Sequence, residues 1–127
     1  MRLVLDTNAY RDVMEGEPRA AGLVRTCDLV LLPVPVIAEL RYGFLHGSKG
    51  KRNDAMLAKF MDQDRVEILR CDEDTATIYA QLKLQLKKQG TPIPINDVWI
   101  AALVLQHGGT LLTRDSDFDQ LPQLPRA

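Results

Sequence analysis

The stretch that decides the fold is Leu3–Asn8 (LVLDTN), an unbroken apolar run that passes directly into three polar residues. A short, wholly apolar run predicts a strand that is buried on both faces, as the strands of parallel sheets are. The polar residues predict a turn and then a helix, with Thr7 or Asn8 as the N-cap. The chain thus opens with a strand–helix unit that carries Asp6 at the carboxyl end of the strand.

The rest of the chain repeats this alternation of strand and helix. Apolar runs predict further strands over residues 29–32, 66–69 and 110–112. Periodicity and capping residues predict helices over about 19–26, 36–46, 55–63, 72–89 and 98–106, with residues 48–54 as a polar, basic connector. We therefore predict an α/β fold with a mainly parallel sheet of four to five strands and helices on both faces. The fifth strand stays open because residues 120–127 are short and broken by prolines.

Composition bounds the class of protein. The 127 residues fit a single domain, which we place at residues 1–127. With 46% hydrophobic and 26% charged residues, the chain can build a core without metal or disulfide staples. A net charge of -1 argues against a protein that coats nucleic acid by bulk charge. It is compatible with an enzyme that has an acidic site and a basic rim.

The cysteines and the apolar runs bear on where the protein works. Cys27 and Cys71 lie in no zinc-binding spacing, which indicates reduced thiols in a cytosolic protein. No signal peptide is visible, and the longest apolar run, Val98–Leu105, is too short to span a bilayer. We therefore expect a cytoplasmic protein with no membrane partner.

Four acidic residues fall where such a fold gathers its binding site. Asp6 follows the first strand, and Asp115 comes three residues after the fourth. Asp97 lies in the first turn of the most apolar helix, and Glu39 lies early in another helix. Ligands of open parallel sheets bind at the carboxyl ends of the strands. Each acid alone has a simpler explanation as a cap, a turn residue or a solvated side chain, but their joint placement predicts one acidic site.

A shared acidic site predicts metal-dependent chemistry. Gathered carboxylates raise one another's pKa values, and a divalent cation such as Mg²⁺ or Mn²⁺, which prefers oxygen ligands, removes that cost. A bound cation supports hydrolysis of phosphodiester bonds without a histidine or cysteine nucleophile. The residues that we predict to bind metal and act in catalysis are Asp6, Glu39, Asp97 and Asp115.

Four segments of the chain resemble, in order, the motifs of PIN-domain nucleases of the VapC toxin type. These segments are Leu3–Asn8, Val36–Gly43, Asn96–Ala102 and Leu112–Phe118. Each motif alone is weak, whereas four in family order over essentially the whole chain are strong. The resemblance implies a three-layer α/β/α PIN fold, an endoribonuclease that depends on Mg²⁺ or Mn²⁺, and the toxin role in a toxin–antitoxin pair.

The resemblance also assigns roles to residues and partners. It marks Asp6 and Asp97 as the surest metal ligands, and Asp117 as a further acid that shares the duty of Asp115. Supporting hydrogen bonds are expected from three other side chains: Thr7, Asn8 and Thr113. It implies a homodimer, an RNA substrate, and a cognate antitoxin whose C-terminal segment blocks the site.

Other side chains receive less specific interpretations. Basic residues that we predict to border the RNA are Arg41, Lys51, Arg52 and Arg114, with Arg41 and Arg114 nearer to the metal. We assign Trp99 to core packing rather than to base stacking. We expect core burial to explain most of the apolar cluster formed by Tyr42, Phe44 and Leu45. These side chains would otherwise suit a contact with a dimer partner or the antitoxin. His46 and His107 lie near helix C-termini, where a histidine interacts with the helix dipole.

Three rival functions fit parts of the same pattern. A phosphatase of the haloacid dehalogenase type needs a second aspartate two residues after Asp6, where this chain has Asn8. A receiver-like Mg²⁺-binding signalling domain needs an acid pair after the first strand and a phosphoacceptor aspartate directly at the end of the third. Here the third strand runs on into Arg70 and Cys71 before Asp72, which is typical of a helix cap, and the receiver's lysine after the fifth strand has no counterpart. A catalytically inactive PIN-like binding module stays open, although the intact acidic set argues against it. DNA also stays open as a substrate, although the small size favours RNA.

Overall fold

Four parallel strands form one sheet in the computed structural model, which describes all 127 residues. The strands are β1 (Arg2–Leu5), β2 (Leu29–Pro33), β3 (Val66–Leu69) and β4 (Thr110–Leu112). Their order is β3-β2-β1-β4, and every neighbouring pair is parallel. The predicted parallel α/β sheet is therefore confirmed, with β1 and β2 at its centre.

Six helices flank the sheet. They are α1 (Thr7–Met14), α2 (Pro18–Thr26), α3 (Val34–His46), α4 (Gly50–Met61), α5 (Glu73–Gln89) and α6 (Ile95–Gln106), and a 3₁₀ helix follows at Ser116–Gln120. Successive strand residues point to opposite faces, and Leu3, Val4 and Leu5 are all completely buried. Both faces of the sheet are therefore covered, as a parallel sheet requires. No helix is long and apolar enough to cross a bilayer.

Helix α6 is the central helix of the core. Six of its residues are buried, namely Val98, Ile100, Ala101, Ala102, Leu103 and Val104. It packs against α5, where the rings of Trp99 and Tyr79 stack with their centroids 4.0 Å apart. Trp99 thus packs between helices, as predicted. The apolar packing fixes the start of α6, and with it the position of Asp97.

Helix α5 shows how the local sequence sets the ends of an element. The Asp72 side chain accepts a hydrogen bond from the Thr75 N–H, and the Thr75 hydroxyl accepts one from the Asp72 N–H, which makes a capping box. At the other end Gly90 adopts a left-handed conformation with φ of 71°. The predicted bounds of this helix are confirmed.

Gly109 lets β4 lie close to β1. A Cβ atom at this position would stand 2.5 Å from Val4 Cγ2, too close for any larger residue without movement. The approach matters for the site because β4 carries the loop that contains Asp115. A glycine here therefore helps to bring that loop beside the end of β1.

Several predictions of helix starts were wrong, since α3 begins at Val34 and α6 at Ile95, two and three residues before the predicted starts. The N-cap of α1 is Asp6, whose side chain accepts a hydrogen bond from the Ala9 N–H, and not Thr7 or Asn8. Residues 48–54 are not a connector throughout, because α4 already begins at Gly50. The first turn of α4 lies on the surface, where polar residues form a helix without an apolar signal.

The C-terminal segment adds a single bridge to the sheet. Arg126 pairs in parallel with Leu111 at the free edge of β4. The Leu111 N–H donates to the Pro125 carbonyl at 2.8 Å, and the Ala127 N–H donates to the Leu111 carbonyl at 2.9 Å. Pro125 has no N–H with which to extend this pairing. The sheet therefore has four strands and one isolated bridge.

Candidate active site

The carboxyl ends of β1 and β4 meet at the edge of the sheet where the acids were expected. Leu5 pairs with Leu112 in the ladder, so Asp6 and Thr113 follow at the same level. The Thr113 hydroxyl donates to Asp6 Oδ2, while Asp6 Oδ1 accepts from the Ala9 N–H at 2.8 Å. Asp6 is only 6% exposed, and both of its oxygens are held by donors of the chain.

The loop after β4 is organised by the same threonine. The Asp115 N–H donates to the Thr113 hydroxyl at 3.0 Å, and the Asp117 N–H donates to Asp115 Oδ1 at 2.9 Å. Asp115 thereby caps the short 3₁₀ helix that follows it. These bonds set the direction of the Asp115 side chain and the position of the Asp117 backbone relative to Asp6.

Glu39 is held from two other helices. The Thr7 hydroxyl, at the start of α1, donates to Glu39 Oε2 at 2.9 Å. The Asn96 side-chain amide, at the start of α6, donates to Glu39 Oε1 at 2.9 Å. Thr7 was expected to support the site by hydrogen bonding, whereas Asn96 was named only as the first residue of the third motif and was given no role. The side chain of Asn8 makes no hydrogen bond within the chain.

Three acids form the group that could hold a metal ion. One carboxylate oxygen from each of Asp97, Asp115 and Asp117 lies within 4.8 Å of the others, and all three residues are half-buried. No donor of the chain reaches the carboxylates of Asp97 and Asp117. Their oxygens are therefore unoccupied by donors of the chain, whereas each oxygen of Asp6 and Glu39 accepts one hydrogen bond and keeps a further lone pair for a cation.

The raised pKa values of Asp97 and Asp6 place all five acids in one electrostatic field. Burial, and then the charges of its acidic neighbours, raise the pKa of Asp97 from 3.8 to about 7; these neighbours are, in order of effect, Asp115, Glu39, Asp117 and Asp6. Burial also raises the pKa of Asp6, and Asp115 and Glu39 raise it further, against the hydrogen bonds from Thr113 and Ala9. The fold thus brings together the four predicted acids and Asp117.

The chemistry of the donors fits a hard divalent cation. All of the ligands on offer are carboxylate oxygens, which Mg²⁺ and Mn²⁺ prefer. His107 ends α6 ten residues beyond Asp97, about 15 Å along the helix, and His46 ends α3 about 10 Å from Glu39. Neither histidine therefore takes part in this group. The cluster suits an ion that binds oxygen, and not a zinc site of the Cys/His type.

The basic residues divide into two places. The Arg114 guanidinium lies beside the acids and binds Asp12 through two hydrogen bonds, of 3.1 and 3.3 Å. The hydrogen bond and charge of Asp12, and then the charge of Asp6, raise the pKa of Arg114. Arg41, which was expected near the metal, instead pairs with Asp54 at 3.4 Å. It lines a cleft of about 870 Å³ between α3 and α4 together with Lys51 and Arg52.

The aromatic and apolar residues of α3 are less buried than the sequence suggested. Tyr42 is 68% exposed and Leu45 is 85% exposed, so core burial does not explain them. Phe44 is half-buried and packs against the core. Helix α3 therefore presents two large apolar side chains to solvent, next to the basic cleft.

Comparison with known proteins identifies the class that this fold and acidic centre define. The PIN domain family matches residues 3–124. Ribonuclease VapC5 of Mycobacterium tuberculosis is 32% identical over 118 residues, which cover 93% of this chain and 86% of that protein. Toxin FitB of Neisseria gonorrhoeae is 32% identical, with coverage of 90% and 88%.

Solved structures agree with this result. VapBC-1 from nontypeable Haemophilus influenzae superposes with a TM-score of 0.87 at 27% identity, over 100% of this chain and 97% of that one. VapBC2 from Rickettsia felis, bound to a DNA fragment from its promoter, gives 0.84 at 26%, over 100% and 98%. The chain belongs to the PIN-domain family and, within it, to the VapC ribonucleases, the toxins of VapBC toxin–antitoxin systems. This membership excludes the phosphatase and the receiver-like domain.

Proposed function

We propose that this ribonuclease cuts RNA internally and depends on Mg²⁺ or Mn²⁺ held at the acidic centre. Asp97, Asp115 and Asp117 supply the most open oxygens, and Asp6 and Glu39 complete the set of metal-binding and catalytic acids. The observation that carries this proposal is the convergence of carboxylate oxygens from Asp97, Asp115 and Asp117, which lie within 4.8 Å of one another. The charges of the neighbouring acids disfavour ionisation of Asp97 and Asp6, and a divalent cation relieves this repulsion.

The side chains divide the work at this centre. Asp97 and Asp117 accept no hydrogen bond from the chain, so they are free to turn toward a cation. Asp6 is fixed by the Ala9 N–H and the Thr113 hydroxyl, so its position does not depend on the cation. When bound, the ion lowers the pKa of a water ligand and neutralises charge on the phosphate.

Arg114 is the side chain that we assign to the RNA backbone beside the centre. Its side chain is 65% exposed although Asp12 holds one edge of the guanidinium. The remaining N–H groups can donate to a phosphate, for which the planar guanidinium is well suited. Arg41, Lys51 and Arg52 in the α3–α4 cleft extend this basic path away from the acids.

The protein partners are proposed from the relatives. Several similar solved structures are toxin–antitoxin complexes, among them those from Rickettsia felis, Neisseria gonorrhoeae and Klebsiella pneumoniae. We assign a cognate antitoxin to this chain and expect the free toxin to be a homodimer. The exposed Tyr42 and Leu45 of α3 are apolar surface that a protein partner would cover.

The experiment that tests this function is cleavage of a mixed pool of structured RNA by purified, antitoxin-free protein. We expect cutting with Mg²⁺ or Mn²⁺, none with EDTA, and none by the Asp97→Asn variant. A DNA pool of matching sequence distinguishes the substrate class. Absence of RNA cutting by a folded protein with either metal would overturn the proposal and favour the inactive binding module.

A further inference from the structure

We propose that Asn96 and Thr7 are positioning residues that together hold the Glu39 carboxylate in place at the acidic centre. The inference rests on the proposed function, because it assigns a purpose to the fixed orientation of Glu39. It makes Asn96 part of the site, although this residue carries no charge and is exposed.

The geometry is a two-point attachment. Thr7 is the first residue of α1, Asn96 is the second of α6, and Glu39 lies in the second turn of α3. The two donors take different oxygens of the same carboxylate, each at 2.9 Å. The terminal torsion of a glutamate is otherwise broad, so one hydrogen bond would leave the group free to rotate. Two donors from different helices fix both its position and its plane.

The charges around Glu39 explain why it needs this attachment. Its negative charge contributes to the raised pKa values of both Asp6 and Asp97, so the three carboxylates lie in one another's field. A half-buried glutamate with three side-chain torsions would turn away from these charges toward solvent. The hydroxyl of Thr7 and the amide of Asn96 oppose this movement.

The neutrality of both donors suits the binding of a cation. An arginine or lysine in either position would hold Glu39 as well but would also cancel its charge. A hydroxyl and an amide fix the carboxylate and leave the charge of the anion available. Asn96 has no other hydrogen-bond partner for its side chain, and the next residue, Asp97, faces the other acids. The start of α6 thus links the acid of α3 to those that follow β4.

The first test is a double-mutant cycle on Mn²⁺ affinity, measured by calorimetry without RNA. We expect Asn96→Ala and Thr7→Val each to weaken Mn²⁺ binding by roughly tenfold, the scale of a hydrogen bond to a charged group at a partly exposed site. In a Glu39→Ala background, Asn96→Ala should change affinity by less than about twofold, the limit of additivity for uncoupled sites. Thr7→Ser keeps the hydroxyl and should restore near wild-type affinity.

The same variants in the cleavage assay should lower kcat with little change in KM, because both donors are proposed to act through Glu39 and not through RNA binding. Equal losses of Mn²⁺ affinity from Asn96→Ala in the wild type and in Glu39→Ala would overturn the proposal, since they indicate a merely structural role of Asn96. Thr26→Val is the matched control, because its hydroxyl donates to the Gly22 carbonyl at 3.0 Å on α2, outside the site. It should match the wild type in both assays.

A second measurement needs neither metal nor RNA. The side-chain amide of Asn96 gives an NMR signal that can be assigned by its absence in Asn96→Ala. In the metal-free wild type we expect this signal away from the position of a solvated asparagine, and we expect it to move to that position in Glu39→Ala. If the Asn96 amide signal has the same chemical shift in the wild type and in Glu39→Ala, the attachment is refuted, even if RNA cleavage behaves as proposed. If RNA is not cleaved but Asn96 and Glu39 remain coupled in the Mn²⁺ and NMR measurements, only the proposed function is refuted.

Discussion

Replacing Asp97 by asparagine should stabilise the metal-free protein while abolishing its cleavage of RNA. Folding raises the pKa of this carboxyl from 3.8 to about 7, first by burial and then by Asp115 and the other acids. The protonated form is therefore favoured by the fold, and stability is lost as the pH rises from 3.8 to about 7. Above this range the ionised carboxylate carries the full penalty. Asparagine has no charge and avoids it.

The size of the effect follows from the pKa values. At about 1.4 kcal/mol per pKa unit, the rise corresponds to an upper limit of about 4 kcal/mol. Asp97 is half-buried, so screening by solvent reduces this to about 2 kcal/mol at pH 8. At pH 5 only about a third of the pH range from the unfolded pKa to the folded pKa of Asp97 has been passed. The stability advantage of Asp97→Asn should therefore be about a third of its value at pH 8. For a chain of this length, 2 kcal/mol corresponds to roughly 6–10 °C in Tm.

The assay is thermal and urea unfolding in EDTA at pH 5 and pH 8, for the wild type and Asp97→Asn. Asp64→Asn is the control, because this exposed acid lies in the turn before β3 and should have little effect. Addition of Mg²⁺ should remove the advantage of the variant, since only the wild type then gains binding energy. A variant no more stable than the wild type at pH 8, or equally stabilised at both pH values, would refute the reasoning.

Three further predictions concern packing and RNA binding. Gly109→Ala should lower the free energy of unfolding by about 1–3 kcal/mol in urea titration, because its Cβ would press on Val4; an unchanged midpoint would contradict the tight contact. Arg114→Ala, made in the inactive Asp97→Asn protein, should weaken RNA binding and reduce the slope of log affinity against log salt concentration by about 1. Unchanged affinity and slope would show that this guanidinium does not contact the RNA backbone. Joint replacement of Lys51 and Arg52 by alanine should also flatten the salt dependence, and unchanged binding would remove the α3–α4 cleft from the RNA path.

The alternation of strand and helix could be predicted because its signals are local. Apolar runs such as Leu3–Leu5 and caps such as Asp72 and Gly90 act within a few residues, and they placed β1 and α5 correctly. The start of α4 was missed because Gly50 and the charged residues after it lie on the surface. There the helix shows no apolar stripe. The N-cap at Asp6 was missed because Thr7 and Asn8 are equally good capping residues.

The acids of the site could be predicted because parallel strands bring their carboxyl ends to one edge. The hydrogen bonds between the site residues could not. Asn96 and Glu39 are 57 positions apart and meet only because α3 and α6 pack together. The contact of Asp12 with Arg114 is likewise long-range, and no local pattern marks it. The motif position directly before Asp97 is the only signal that could have drawn attention to Asn96.

The measurement that tests the central claim most directly is anomalous diffraction from crystals of the antitoxin-free protein soaked in Mn²⁺. The account predicts an anomalous peak among the carboxylates of Asp97, Asp115 and Asp117, and its loss in crystals of Asp97→Asn. A peak at any other site with none here, or no peak at Mn²⁺ concentrations that support cleavage of RNA, would contradict it.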